Sequence, residues 1–133
     1  MFILDSFALL CLFDSKRPKA GKAVARFLER AEGKEITLFL SKINEGEIFY
    51  RLYRHPGEQI ARGFREDLRK GLFPVQVVPV TGKRVDRASE IKAVYSVSYA
   101  DAFCIQLAQE MNLPVITGDP EFEKVKNLID IVW

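Results

Sequence analysis

With 133 residues, the chain has the length of one ordinary domain and is long enough to bury a sizeable core. Hydrophobic residues make up 48% of it and charged residues 29%, a balance that indicates a soluble globular protein. The net charge of +2 is too small to indicate nucleic-acid binding by itself. No repeat, linker or low-complexity segment divides the chain, so we predict a single domain over residues 1–133.

The N-terminus combines a short apolar strand, Phe2–Leu4, with an almost entirely apolar helix, Phe7–Phe13. Asp5 lies between them, and a carboxylate in the core destabilises the fold by several kcal/mol unless something pairs with it. Capping of the helix by Asp5 or Ser6 explains part of this cost, and a bound metal ion would explain the rest. The opening stretch is too short to span a membrane and lacks the basic residues of a signal peptide, so we expect no membrane association.

The middle of the chain alternates pairs of helices with strands. Predicted helices cover approximately Pro18–Ala31, Lys42–Arg54, Glu58–Lys70 and Gly82–Val94. Predicted strands cover Ile36–Leu40 and Phe73–Val80. A strand that is followed by helices and then by another strand indicates a parallel sheet.

Two acids, Glu45 and Glu47, lie in the helix Lys42–Arg54. At about 100° per residue, Glu47 shares a polar sector with Arg51, whereas Glu45 falls among apolar residues. A purely structural interpretation of Glu47 is an ion pair with Arg51, four residues further on. The six Lys and Arg residues from Arg51 to Lys70 form either an RNA-facing edge or an ordinary soluble surface.

The last third of the chain contains a helix from Asp101, a buried strand at Pro114–Thr117 and a new helical turn after Asp119. Asp101 thus begins a helix, and Asp119 follows the C-terminal end of a strand. In an open α/β sheet, ligands bind beyond the carboxyl ends of the strands. N-capping is the alternative explanation for each of these two acids.

A short helix and a closing strand, Ile129–Trp133, complete the chain. The order β-α-α-β-α-α-β-α-α-β-α-β predicts an α/β three-layer sandwich, with a central parallel sheet of about 4–5 strands flanked by helices. Cys11 and Cys104 stand in apolar runs and are predicted to be buried, reduced thiols of a cytoplasmic protein. His55, the only histidine, has no His or Cys partner nearby and is not a candidate metal ligand.

Four segments of the sequence together resemble the PIN domain family, and most closely its VapC-type toxins from prokaryotic toxin–antitoxin pairs. The segments are LDSFALL, SKINEGEIFY, SYADAF and TGDPEF. They span nearly the whole chain in the family's order, and the most specific feature is the separation of 18 residues between Asp101 and Asp119. The resemblance implies acids gathered at one end of a parallel sheet, where they hold one or two Mg²⁺ or Mn²⁺ ions for phosphodiester hydrolysis.

The acids that match the family pattern are Asp5, Glu47, Asp101 and Asp119. The resemblance implies that they are catalytic and bind Mg²⁺, with Mn²⁺ as the alternative ion. Hard cations on carboxylate oxygens invert the local charge, lower the pKa of bound water and stabilise the attacking and leaving oxygens. We expect Asp5 and Asp101 to be direct ligands and Asp119 to complete the site. Glu47 then orients the attacking water or binds a second ion.

Three further positions qualify this assignment. The family spacing from the preceding serine favours Glu47 over Glu45 as the helix acid. Thr117 matches a small hydroxyl residue of the family's pocket. Many relatives have Ser or Thr two positions after the first Asp, but this chain has Phe7 there, which leaves Ser6 as the only nearby hydroxyl.

The resemblance implies an endoribonuclease that forms a homodimer, cleaves RNA and is bound by a cognate antitoxin, whose inserted segment often presents an Arg. The alternatives within the family are an RNA-processing nuclease and an inactive scaffold used for binding, and the complete set of acids argues against the scaffold. Two other Mg²⁺-dependent folds do not fit. A receiver domain needs an acidic pair after the first strand and a late Lys, and a haloacid-dehalogenase-type phosphatase needs D-x-D, where this chain has Asp5-Ser6-Phe7.

Overall fold

The computed structural model describes residues 1–133 and contains five strands, six α-helices and two short 3₁₀ helices. The strands are β1 (Phe2–Leu4), β2 (Leu38–Ser41), β3 (Gln76–Val78), β4 (Val115–Ile116) and β5 (Ile131–Val132). The α-helices are α1 (Ser6–Leu10), α2 (Pro18–Glu32), α3 (Lys42–Arg54), α4 (Glu58–Lys70), α5 (Gly82–Val94) and α6 (Tyr99–Met111). The 3₁₀ helices cover Cys11–Phe13 and Pro120–Val125.

All five strands belong to one parallel sheet with the order β3-β2-β1-β4-β5. From β1, the chain continues through β2 to the sheet edge at β3. It then returns to the other side of β1, where β4 and β5 extend the sheet in the opposite direction. The change of direction falls between β1 and β4, where Leu4 is paired with Ile116. A crevice beyond the carboxyl ends of the strands forms at such a switch point, and ligands of open α/β sheets bind there.

Helices cover both faces of the sheet, which confirms the predicted three-layer sandwich. Ile3 and Val115 are fully buried on the face that carries α5 and α6. Leu4 and Ile116 are fully buried on the opposite face, together with side chains of α1, α2, α3 and α4. Successive strand residues point to opposite faces, so a strand buried on both faces is continuously apolar, as β1 is.

The structure confirms the predicted bounds of β1, α3, α4 and α5, but the other four strands are shorter than predicted. The predicted strand Phe73–Val80 is reduced to β3, which pairs only with β2 at the sheet edge. Pro74 and Pro79 flank β3 and have no N–H to donate to a neighbouring strand, so the pairing ends between them. None of the helices combines the length and the apolar character that a transmembrane segment requires.

Candidate active site

Asp5 lies directly after β1, at the switch point of the sheet. Its side chain is 1% exposed, and Oδ1 accepts a hydrogen bond of 2.7 Å from the backbone N–H of Ala8, which caps α1. Oδ2 accepts a hydrogen bond of 2.5 Å from the hydroxyl of Thr117, whose Oγ1 accepts one of 3.0 Å from the backbone N–H of Asp119. Because the residues before Asp5 and Thr117 are paired in register, the two side chains emerge at the same level and link the ends of β1 and β4.

The capping alternative holds for two of the three aspartates. Asp5 caps α1, and the side chain of Asp119 accepts a hydrogen bond of 3.0 Å from the N–H of Glu121 at the start of the second 3₁₀ helix. Asp101 does not cap α6, because Ser98 does so by accepting a hydrogen bond of 3.1 Å from the Asp101 N–H. The carboxylate of Asp101 lies in the first turn of α6, where the positive end of the helix dipole favours a negative charge.

The four predicted acids share one electrostatic environment. Burial is the main cause that raises the pKa of Asp5 to about 7. The negative charges of Asp101 and Asp119 contribute to this rise, and the hydrogen bonds from Thr117 and Ala8 oppose it. Burial also raises the pKa of Asp101 to about 6, with additional contributions from Glu47 and Asp119. None of the ten ion pairs in the structure involves any of the four carboxylates. The fold therefore gathers negative charge at this edge of the sheet without a protein cation to balance it.

The donor set fits a hard divalent cation in its chemistry but is not a preformed cluster. The available groups are carboxylate and hydroxyl oxygens, which Mg²⁺ and Mn²⁺ prefer. No three acidic, histidine or cysteine side chains lie close enough together to form a metal centre as they stand. The buried, unpaired carboxylate of Asp5 is the feature that a cation would compensate, because a buried charge without a counter-charge is strongly destabilising.

The two acids of α3 have different surroundings. Glu45 is 3% exposed and forms ion pairs with Lys42 at 2.8 Å and Arg65 at 3.7 Å. Glu47 is half-buried, and the ion pair with Arg51 that the purely structural interpretation requires does not form. The charge of Glu45 is thus neutralised within the fold, whereas Glu47 acts on the carboxylate of Asp101.

Asn44 joins the elements that carry three of the acids, a role that sequence reasoning missed. Its side chain is fully buried, and Nδ2 donates hydrogen bonds to the hydroxyl of Ser6 at 3.0 Å and to the carbonyl oxygen of Ala100 at 3.2 Å. The Ser6 hydroxyl donates a hydrogen bond of 3.4 Å to the backbone carbonyl of Asn44. These contacts tie α3 to the residue after Asp5 and to the residue before Asp101. The available signal was an asparagine, a weak helix former, in the interior of a helix.

Two aromatic rings border this end of the sheet. Phe7 is the position at which this chain departs from the hydroxyl of the family pattern, and its ring centroid lies 6.1 Å from that of Trp133, the only tryptophan. Trp133 packs so closely against Gly118 that a Cβ atom at residue 118 would lie 2.6 Å from the indole Cε2. Since Gly118 precedes Asp119, we expect the fluorescence of Trp133 to respond to changes around the acids.

The model of the PIN domain family matches residues 2–128. The chain belongs to the PIN domain family. This match confirms the resemblance that the four sequence segments indicated. Among curated proteins, none matches the chain by sequence.

Solved structures with the same fold include several toxins and toxin–antitoxin complexes. VapC20 of Mycobacterium tuberculosis, a sarcin-ricin loop cleaving toxin, has a TM-score of 0.73 and 18% identity, over 94% of this chain and 95% of that one. DNA-bound VapBC of Salmonella typhimurium has a TM-score of 0.72 and 19% identity, over 98% of this chain and 96% of that one. A toxin–antitoxin complex of Klebsiella pneumoniae has a TM-score of 0.67 and 19% identity, over 100% of this chain and 97% of that one. At these identities, the similarity establishes that this PIN domain shares their fold.

Replacing Asn44 with alanine should destabilise the PIN domain by roughly 1 to 3 kcal/mol, because it removes a buried hydrogen bond to the Ser6 hydroxyl and a partly buried one to the carbonyl oxygen of Ala100. Urea denaturation measures the change. The matched control is Asn127→Ala, which removes an exposed amide with one long contact of 3.5 Å to Tyr95 and should change stability by less than about 0.5 kcal/mol. Equal effects of the two substitutions would contradict the role given to Asn44.

The metal-free PIN domain should lose stability as the pH rises from 3.8 to about 7, the interval between the ordinary pKa of Asp5 and its value in the fold. In this interval the folded state binds more protons than the unfolded state, so stability falls with pH. Asp5→Asn removes the titrating group. The variant should therefore gain stability relative to wild type by a few kcal/mol across the interval and hold that gain above it.

Thermal unfolding in the presence of a chelator, at a series of pH values through this interval, measures that difference. Asp130→Asn is the control. Because Asp130 is exposed, the difference in stability between this variant and the wild type should not change with pH. A constant difference between Asp5→Asn and wild type at all pH values would show that the pKa of Asp5 is not raised.

Proposed function

We propose that this PIN domain is a metal-dependent endoribonuclease and the toxin of a VapBC-type toxin–antitoxin pair. The observation that carries the proposal is the buried, unpaired carboxylate of Asp5 at the switch point of the sheet, with three further carboxylates acting on the same region. Hydrolysis of a phosphodiester bond needs positive charge at the phosphate, and these acids are suited to hold it as bound Mg²⁺ or Mn²⁺.

The residues of the chain have distinct parts in this proposal. Asp5 and Asp101 are the proposed direct ligands, and Asp119 completes the set. Glu47 is the proposed second-ion ligand or the group that orients the attacking water. When bound, Mg²⁺ supplies Lewis acidity and a water of lowered pKa. Thr117 holds one oxygen of the Asp5 carboxylate in a fixed orientation through its hydroxyl.

Protons compete with a cation for the same oxygens in this site. Because burial raises the pKa values of Asp5 and Asp101, both carboxyl groups are largely protonated at mildly acidic pH. Metal binding releases those protons, so the affinity for Mg²⁺ falls as the pH is lowered. Cleavage of RNA is expected to fall with it.

The proposed partner is an antitoxin that covers the acids. Two structures that share this fold support an antitoxin partner: one is a toxin–antitoxin complex from Klebsiella pneumoniae, and the other is DNA-bound VapBC from Salmonella typhimurium. Four carboxylates without a protein cation favour a partner that presents an Arg, because a guanidinium group forms strong hydrogen bonds with carboxylates. Homodimerisation and a cytoplasmic location belong to the same proposal and follow from the resemblance to VapC toxins.

Asp101→Asn and Asp119→Asn should each lower the rate of Mg²⁺- or Mn²⁺-dependent RNA cleavage by roughly 100-fold or more, because an amide binds a divalent cation less strongly than a carboxylate. Cleavage of bacterial ribosomal and transfer RNA by the purified protein, with and without a chelator, measures the rate. Asp130→Asn again serves as the control and should cleave at the wild-type rate, because Asp130 is exposed and outside the acid set.

A titration of Trp133 fluorescence with Mn²⁺ separates loss of metal binding from loss of catalysis. The wild type should show a saturable change that Asp101→Asn weakens. If Asp101→Asn cleaves RNA as fast as the wild type, the assignment of these acids is wrong. If the wild type binds neither Mg²⁺ nor Mn²⁺, the PIN domain is a scaffold used for binding.

A further inference from the structure

A second feature lies beside the acids and is independent of them. An open pocket of about 500 Å³ is formed by α1, the turn that follows it and the C-terminal end of α3. Its floor is partly apolar and includes Phe7, Leu10 and Leu52. The cationic side chains that line it are Lys16, Arg17, Arg51 and Arg54. Its volume is in the range of sites that enclose small ligands.

The charge of this basic pocket is largely uncompensated. Asp14 is the only acid that lines it, and its carboxylate is already paired with Arg17 at 3.4 Å. Lys16, Arg51 and Arg54 take part in none of the ion pairs of the structure. Four cations against one carboxylate exceed the net charge of +2 of the whole chain, so positive charge is concentrated at this pocket.

Only some of the basic residues between Arg51 and Lys70 contribute to the pocket. Arg62 is paired with Glu58 at 2.7 Å, and Lys70 is paired with Glu66 at 3.4 Å. Of that run, only Arg51 and Arg54 reach the basic pocket, together with residues from the turn after α1. The fold thus assembles the patch from two separate segments of the chain.

The basic pocket and the acids are carried by the same two helices. Asp5 caps α1, whose last residue, Leu10, lines the pocket. Glu47 and Arg51 are four residues apart on α3, which places them about 6 Å apart along the helix axis. The pocket therefore begins about one helical turn from the acids, at a distance that a neighbouring nucleotide of a bound strand can span.

Phe7 forms the boundary between the two regions and offers an aromatic face. The guanidinium carbon of Arg17 lies 5.1 Å from the centroid of its ring, and the centroid of Trp133, which packs against Gly118, lies 6.1 Å from it. Beside the pocket, the Arg54 guanidinium lies over the ring of Tyr50, at 5.1 Å, although Tyr50 itself does not line the pocket. Arginine and aromatic side chains in one basic groove are what single-stranded nucleic acids bind, through phosphate contacts and base stacking.

We propose that the basic pocket binds the phosphodiester backbone and a base of single-stranded RNA, next to the bond that is cleaved at the acids. Arg51 and Arg54 contact phosphate oxygens, and Phe7 with Arg17 forms the stacking surface. The position of the bond rests on the proposed function, but RNA binding in the pocket does not require cleavage. An acidic peptide would use the same cations and would leave the stacking surface unused.

The test is the affinity of the full chain for a fluorescein-labelled single-stranded RNA of about ten nucleotides, measured by anisotropy with a chelator present so that no cleavage occurs. Arg51→Gln combined with Arg54→Gln should weaken binding roughly tenfold at low salt. It should also reduce the slope of log K against log salt by about 1.4, because two phosphate contacts are lost. Both side chains are exposed, so the fold should be retained, and circular dichroism checks this.

The matched control is Arg26→Gln combined with Arg69→Gln. Both residues are exposed, neither forms an ion pair, and neither lines the pocket. The control loses the same total charge and should retain most of the affinity. Equal losses in the two double variants would overturn the proposal, because binding would then follow net charge alone. Unchanged RNA affinity of the pocket variant, with lost affinity for polyglutamate, would identify a site for acidic peptides instead.

The outcomes for the pocket and for the nuclease are separable. If the wild type cleaves no RNA but loses RNA affinity in the Arg51 and Arg54 variant alone, the pocket is supported and the proposed function fails. If the wild type cleaves RNA and the pocket variant shows unchanged affinity and KM, the nuclease stands and the pocket proposal fails. Phe7→Leu tests the stacking surface separately and should lower RNA affinity without changing the salt slope.

Discussion

The burial of Asp5 at the end of the central strand is the constraint on which the rest of this structure depends. The carboxylate is removed from water, holds the first turn of α1 through the N–H of Ala8 and receives the hydroxyl of Thr117. Two hydrogen bonds lower the cost of its charge but do not neutralise it. The fold thus retains an uncompensated negative charge where parallel strands end, which natural sequences rarely keep without a functional reason.

The surrounding hydrogen bonds explain how this charge is held in place without a salt bridge. The hydroxyl of Thr117 connects the end of β4 to the end of β1 and also receives the N–H of Asp119. Asn44 connects α3 to both other acid-bearing helices, α1 and α6, through Ser6 and Ala100. Neutral groups orient the carboxylates in this arrangement and leave their negative charge available to a cation.

Opposite charges lie side by side at this end of the PIN domain. The acids alone would repel a polyanion, whereas the basic pocket attracts one over the distance set by the Debye length, about 8 Å at physiological salt. Phe7 lines the basic pocket two residues after Asp5 and contacts both Arg17 and Trp133. The departure from the family pattern at this position thus replaces a hydroxyl with an aromatic surface, which supports the proposed binding of nucleic acid in the pocket.

The order of helices and strands, the bounds of α3, α4 and α5 and the family followed from the sequence, because helix caps, apolar periodicity and short motifs are local signals. The strand ends and the N-cap of α6 were predicted less accurately. Strand pairing decides where a strand at the sheet edge ends, and the local geometry decides whether Ser98 or Asp101 caps the helix. Two features became visible only in the tertiary structure. Glu45 forms ion pairs with Lys42 and Arg65, and two separate segments of the chain form the basic pocket. Contacts between residues distant in sequence depend on how helices pack across the sheet, and no local pattern records that packing.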